Sequence, residues 1–262
     1  MKIARFVDSD GVERLGQPTG PDRARVIEGD LFGEYRLGQA EATIARLLPP
    51  VWPPNVFGIG LNYHEHAAEG GREAPNKPLV FLKATTSVVA AGEPVRLPPS
   101  APEEVDFEAE LAVVIGRRAA RVSLQAAPDY VLGYTCANDV TARDCQKRLD
   151  KQWARAKGFD TFCPLGPVMV TPDEFDPSEA TVESFLNGQP MQRGHAADMI
   201  FDCPALVSYL SHQFTLLPGT VICTGTPAGV GYSRQPPVFL RPGDRITVRI
   251  AGIGDLTNPV GR

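Results

Sequence analysis

Over residues 105–115 every second position is apolar, so Phe107, Ala109, Leu111, Val113 and Ile115 form one face of a predicted strand. The intervening positions put Asp106, Glu108 and Glu110 together on the opposite face, each about 6.5 to 7 Å from the next. Strand signals recur at residues 2–7, 25–27, 56–59, 79–81, 130–137, 168–170, 220–224 and 246–250. Helical patterning is sparser. It covers residues 40–48, 203–211 and, most clearly, 142–157, where Thr141-x-x-Asp144 reads as a capping box and Gly158 as the C′ residue. Asn62 reads as the cap of a further helix with Glu65 at its third position. Strands in excess, without regular alternation with helices, predict an α+β fold that is predominantly β.

The segment Pro49-Pro50-Val51-Trp52-Pro53-Pro54 can neither continue a helix nor enter a central strand. It predicts a boundary between a small N-terminal module, residues 1–50, and a larger domain, residues 51–262.

Composition narrows the function. A net charge of -5 without a run of like charges excludes the basic surface that nucleic acid or an anionic membrane requires. No stretch of about 18 apolar residues occurs, and the N-terminus is charged where a signal peptide is apolar, so a cytoplasmic protein is expected. The five cysteines are odd in number and contain no C-x-x-C pair, which argues against disulfides and a thiolate zinc site.

Aligned carboxylates repel one another, and burying them costs several kcal/mol each unless a positive charge is present. A solvated acidic face is the plain alternative. Asp139, however, falls where the 130–137 strand runs into a helix start, and strand ends collect functional groups. Glu108, Glu110 and Asp139 form an all-oxygen set suited to Mg²⁺, Mn²⁺ or Ca²⁺ over zinc. His66 and Glu69 stand at i and i+3 on one helix face, as a proton-sharing pair or as ordinary surface neighbours. His64-x-His66 lacks the four-residue spacing of helical zinc pairs. Residues 224–231 are glycine-rich but lack the ending of a phosphate-binding loop, so they read as a turn lining a pocket, with Thr226 offering an N–H or hydroxyl. Gly58-Ile59-Gly60 has Tyr63 at the third glycine position of a dinucleotide fingerprint, so no nucleotide cofactor is expected.

The ordered series Gly60-Leu61-Asn62-Tyr63, His66-Ala67, Glu69, Pro78, Phe81, Lys83, residues 105–111, Gly133-Tyr134, residues 138–144 and residues 157–162 resembles the fumarylacetoacetate hydrolase family. It continues through Gly166-Pro167, Asn187-Gly188, residues 224–231 and Pro242-Gly243-Asp244. The resemblance implies a mixed β-sheet roll with few helices, a homodimer, and Mg²⁺ or Mn²⁺ on Glu108, Glu110 and Asp139. It implies a lid carrying His66 and Glu69 as a dyad that activates water. It also puts Lys157 at the substrate, a reading favoured because a chain with twenty Arg and six Lys uses lysine sparingly; Lys157 otherwise complements a helix dipole. Lys83, Arg143 and Gln146 are candidates for the same polar shell.

Family members hydrolyse acylpyruvates, isomerise or decarboxylate hydroxymuconate-type diacids, or decarboxylate oxaloacetate. These reactions share an enolate, whose charge a divalent ion stabilises as a Lewis acid. The first fifty residues resemble the bacterial isomerase members, which favours a 2-hydroxyhepta-2,4-diene-1,7-dioate isomerase. Acylpyruvate or fumarylpyruvate hydrolysis and oxaloacetate decarboxylation are the alternatives, with a non-enzymatic oligomeric binding module more remote.

Overall fold

The computed structural model describes residues 1–262. Its centre is the strand Ala109–Ile115, all seven residues of which are buried. This strand pairs antiparallel with Val131–Asn138 on one side and with Val221–Cys223 on the other, within an eleven-stranded mixed sheet. Ala109, Leu111, Val113 and Ile115 enter the larger core cluster, as the alternation predicts. Ala112 and Val114 enter a second core cluster on the reverse face, so beyond Glu110 the strand is apolar on both sides.

A five-stranded sheet built from Thr181–Leu186, Gln189–His195, Arg245–Ile250, Gly254–Gly261 and Val95–Arg96 packs against this sheet. Four of its strands, all but Arg245–Ile250, escape the sequence pattern. Ser184 replaces an apolar residue on the buried side of Thr181–Leu186, and Gln189–His195 carries proline, glycine and charge where strand formers are expected. Asn187 and Gly188, with φ of 52° and 82°, make the hairpin between them.

Residues 40–48 are not helical. They end a fourteen-residue strand, Tyr35–Leu48, which pairs with Arg23–Gly29 and with Lys2–Asp8. The helix preference of Ala, Leu and Arg amounts to a few tenths of a kcal/mol per residue, and two strand partners outweigh it. Lys2–Asp8 also pairs with Cys163–Val170, which joins the N-terminal strands edge-on to the main sheet.

The predicted helix over 142–157 is broken. Thr141–Ala142 is a short strand, Cys145–Leu149 a π-turn and Trp153–Lys157 a separate helix, with Lys151 between them at φ 54°. Thr141 forms no capping box, and Gly158 ends the second helix at φ −102° without a left-handed turn. Helix geometry gives the reason: a continuous helix would separate residues 143 and 157 by about 21 Å. Both side chains reach the same carboxylate, Glu108. The helix over 203–211 is present as Cys203–Gln213, capped by Asp202. No helix is long and apolar enough to cross a membrane.

Candidate active site

The acidic segment divides at Phe107 and Glu108, which lie between the strands Val105–Asp106 and Ala109–Ile115. Asp106 therefore does not join the other carboxylates. Its oxygens accept from the N–H groups of Phe107, Gly231 and Tyr232 and from Arg143 Nε, at 2.8 to 3.0 Å, and Arg143 neutralises it. Sequence alternation alone cannot separate Asp106 from its neighbours, because the divergence comes from the break.

Glu108, Glu110 and Asp139 converge instead, each offering an oxygen within 4.8 Å of the others, and all three are buried. Backbone contacts hold the set together. Asp139, at the end of Val131–Asn138, donates its N–H to Glu108 O (2.9 Å), while Glu108 donates its own to Asn138 Oδ1 (3.0 Å). Gly225 N–H donates to Glu110 Oε2 at 2.8 Å.

Cations are distributed unevenly over these oxygens. Lys157 Nζ donates to Asp139 Oδ2 (2.5 Å), Glu108 Oε2 (2.9 Å) and Thr141 Oγ1 (2.8 Å). Lys83 Nζ donates to Asp139 Oδ1 at 2.5 Å, and Arg143 Nη2 lies 2.7 Å from Glu108 Oε1. Burial pushes the Glu108 carboxyl up, but Lys157 and Arg143 outweigh it and hold the group at about 2. Glu110 receives no such contact. Burial, and then repulsion from Asp139 and Glu108, hold its carboxyl well above the usual range. A buried, all-oxygen cluster with one uncompensated carboxylate fits a hard divalent cation, and the residues present can hold one.

A cavity of about 220 Å³ opens onto this cluster, lined by His66, Glu108, Arg143, Gln146, Trp153 and Lys157 among others. His66 Nδ1 lies 3.2 Å from Glu69 Oε2, and Gly229 N–H donates to Glu69 Oε1 at 3.0 Å. Burial raises the Glu69 carboxyl, but hydrogen bonds from His66, Gly229 and Ser233 overcome it and leave the group below its ordinary value. The pair rides on the short helix His64–Glu69. Asn62 does not cap that helix. It is buried, donating to Thr224 O and Phe201 O and accepting from Phe201 N–H, while Asp198 from a distant loop accepts from Glu65 N–H. Gly60 leaves room for Trp153, since a Cβ there would stand 2.3 Å from its ring.

The remaining predicted residues fall around this cavity in different ways. Gln146 accepts from Arg143 Nη1 at 3.0 Å. Thr226 lines the cavity, but its hydroxyl donates to Ala109 O and accepts from Gln192 Nε2. Lys83 reaches Asp139 from outside the cavity lining. Arg72, Lys147, Tyr232 and Ser233 also line it, and no sequence pattern singled them out.

Residues 55–261 match the family model described as fumarylacetoacetate (FAA) hydrolase C-terminal. Protein Rv2993c of Mycobacterium tuberculosis is 43% identical over 100% of this chain and 98% of its own. The oxaloacetate tautomerase YisK of Bacillus subtilis is 45% identical over 88% of this chain and 77% of its own. The crystal structure of 5-carboxymethyl-2-hydroxymuconate delta-isomerase from Mycobacterium smegmatis superposes with a TM-score of 0.88 at 41% identity, covering 100% of both chains. The chain belongs to the fumarylacetoacetate hydrolase family of enzymes.

Proposed function

We propose that the protein is a divalent-metal-dependent isomerase that moves a proton between carbon and the enol oxygen of a 2-oxo diacid, with magnesium as its ion. The reading rests on one observation: His66, Glu108 and Lys157 line a single small cavity, with Glu69 bonded to His66 and with Glu110 and Asp139 clustered on Glu108 beside it. Two relatives carry names of this chemistry, an oxaloacetate tautomerase and a hydroxymuconate isomerase, and both substrates hold a 2-oxo or 2-hydroxy acid.

Glu108, Glu110 and Asp139 would hold the cation, which when bound supplies Lewis-acid stabilisation of negative charge on the 2-oxygen. His66 is the general base. Glu69 engages Nδ1 and so fixes the ring, leaving Nε2 to take a proton from C3 of the oxo acid or return it. Lys157, fixed by Glu108, Asp139 and Thr141, presents positive charge where the enolate forms. Trp153 and Ile59 give the cavity an apolar wall that limits water and strengthens these contacts.

The His66–Glu69 pair also favours a second reading, in which it activates water for hydrolysis of an acylpyruvate. Ultraviolet absorbance distinguishes the two. With magnesium the protein is expected to speed ketonisation of enol-oxaloacetate and isomerisation of a 2-hydroxymuconate-type diacid, leaving acetylpyruvate intact. Cleavage of acetylpyruvate with no effect on the diacids would replace the first reading by the second.

A further inference from the structure

Most cations at the site are already matched. Arg143 meets Asp106 and Glu108, Lys157 meets Glu108 and Asp139, and Lys83 meets Asp139. Two others lining the same cavity are not. Arg72 follows the His64–Glu69 helix, with its N–H donated to Ala67 O, and Lys147 lies on the turn Cys145–Leu149. Neither has a carboxylate within ion-pair reach, whereas exposed Arg148 beside Lys147 is paired with Glu104.

Lys147 is only half-buried, yet it is held in place. Its ammonium lies 5.1 Å from the centroid of the Tyr232 ring, and the Arg143 guanidinium lies 5.8 Å from the same ring. Tyr232 is in turn anchored by its N–H to Asp106. Both cations thus lie near one aromatic ring, and of the two only Arg143 also has carboxylate partners. Burial, and after it the charges of Arg143 and Arg72, push the Lys147 ammonium below its ordinary range. An anion between Arg72 and Lys147 would relieve that repulsion. Three of the six lysines in the chain, Lys83, Lys147 and Lys157, gather at this one site.

We infer that Arg72 and Lys147 form a subsite for the distal carboxylate of the substrate, so that the enzyme selects 2-oxo diacids over 2-oxo monoacids of the same length. The inference rests on the 2-oxo acid reading proposed above and adds to it the residues that set selectivity. Arg143 and Lys157 are poor candidates for this task, because Asp106, Glu108 and Asp139 already occupy them.

The test is equilibrium binding of 2-oxoglutarate and 2-oxopentanoate, which differ only in the distal carboxylate, to the magnesium-loaded protein by calorimetry. The wild-type protein is expected to favour the diacid by tenfold or more. Lys147→Met should reduce that preference about tenfold and change the 2-oxopentanoate Kd by less than threefold; one lost charge-assisted contact has this size. Arg72→Met should act in the same direction, and Lys147→Arg should retain most of the preference. Equal affinity of the wild-type protein for both acids, or equal weakening of both in the variants, overturns the subsite alone. Binding of neither acid by the wild-type protein overturns the 2-oxo acid reading and the subsite with it.

Discussion

Glu110→Gln tests the charge distribution of the carboxylate cluster. Glu110 is 1% exposed, accepts one N–H from Gly225, and faces Asp139 and Glu108 with no cation touching it. In chelated protein its charge is unfavourable, and an isosteric amide can keep the Gly225 contact. The variant should therefore melt no lower than wild type without metal. Magnesium at a hundred times its Kd stabilises the native state by about 2.7 kcal/mol. Unfolding entropy of about 2.1 cal/mol/K per residue converts this to a Tm increase of about 5 °C for a chain of 262 residues. A hundredfold weaker site at the same magnesium concentration would give less than about 1 °C.

The sign with pH follows from the raised Glu110 carboxyl. Its contribution to stability is complete below the unfolded carboxylate range and is lost as pH rises through the folded value, so chelated wild type should lose stability on that rise. The variant should not. Glu108, held at about 2, works oppositely, with its contribution lost as pH falls from about 4.5 towards that value. Differential scanning fluorimetry with chelator or magnesium reads the Glu110 effect and the metal-induced shift across pH 5 to 8, and the Glu108 effect on extension below pH 4.5. A metal-induced shift in Glu110→Gln equal to that of wild type would refute the reasoning, as would a chelated variant melting several degrees lower.

Two further variants separate structure from metal binding. Asp106→Asn removes the charge that Arg143 and three N–H groups engage, and should cost about 2 to 3 kcal/mol by denaturant unfolding while magnesium affinity stays within threefold; a lost magnesium response would place Asp106 among the ligands. Lys157→Met breaks buried contacts to Glu108 and Asp139, and chelated protein should lose about 3 to 5 kcal/mol, with part recovered on adding magnesium. Unchanged stability would mean that those contacts contribute little.

The cluster was legible because its residues stand on strand positions with period 2 and at a strand end, where alternation fixes the face that each side chain takes. Glu108, Glu110 and Asp139 come together as the pattern and the resemblance led one to expect. Asp106 shares that alternation and still departs, because the strand breaks at Phe107 and the turn holding Gly231 and Tyr232 captures its carboxylate from 125 residues away in sequence. The helix over 142–157 failed for a related reason: good helix formers were present, but Arg143 and Lys157 converge on Glu108 only through a break. Arg72 and Lys147 carried no signal at all. What marks them is the absence of a carboxylate partner, which exists only in three dimensions.

The most direct measurement of the central claim is the decay of enol-oxaloacetate absorbance with the wild-type protein, magnesium-loaded and chelated, beside magnesium-loaded His66→Gln. Fast ketonisation only in the loaded wild-type protein, with a loss of a hundredfold or more in the variant, is the predicted result, the general-base contribution being about 10²–10⁴-fold. Ketonisation at the uncatalysed rate by the loaded wild-type protein, or at an equal rate with His66→Gln, would contradict it.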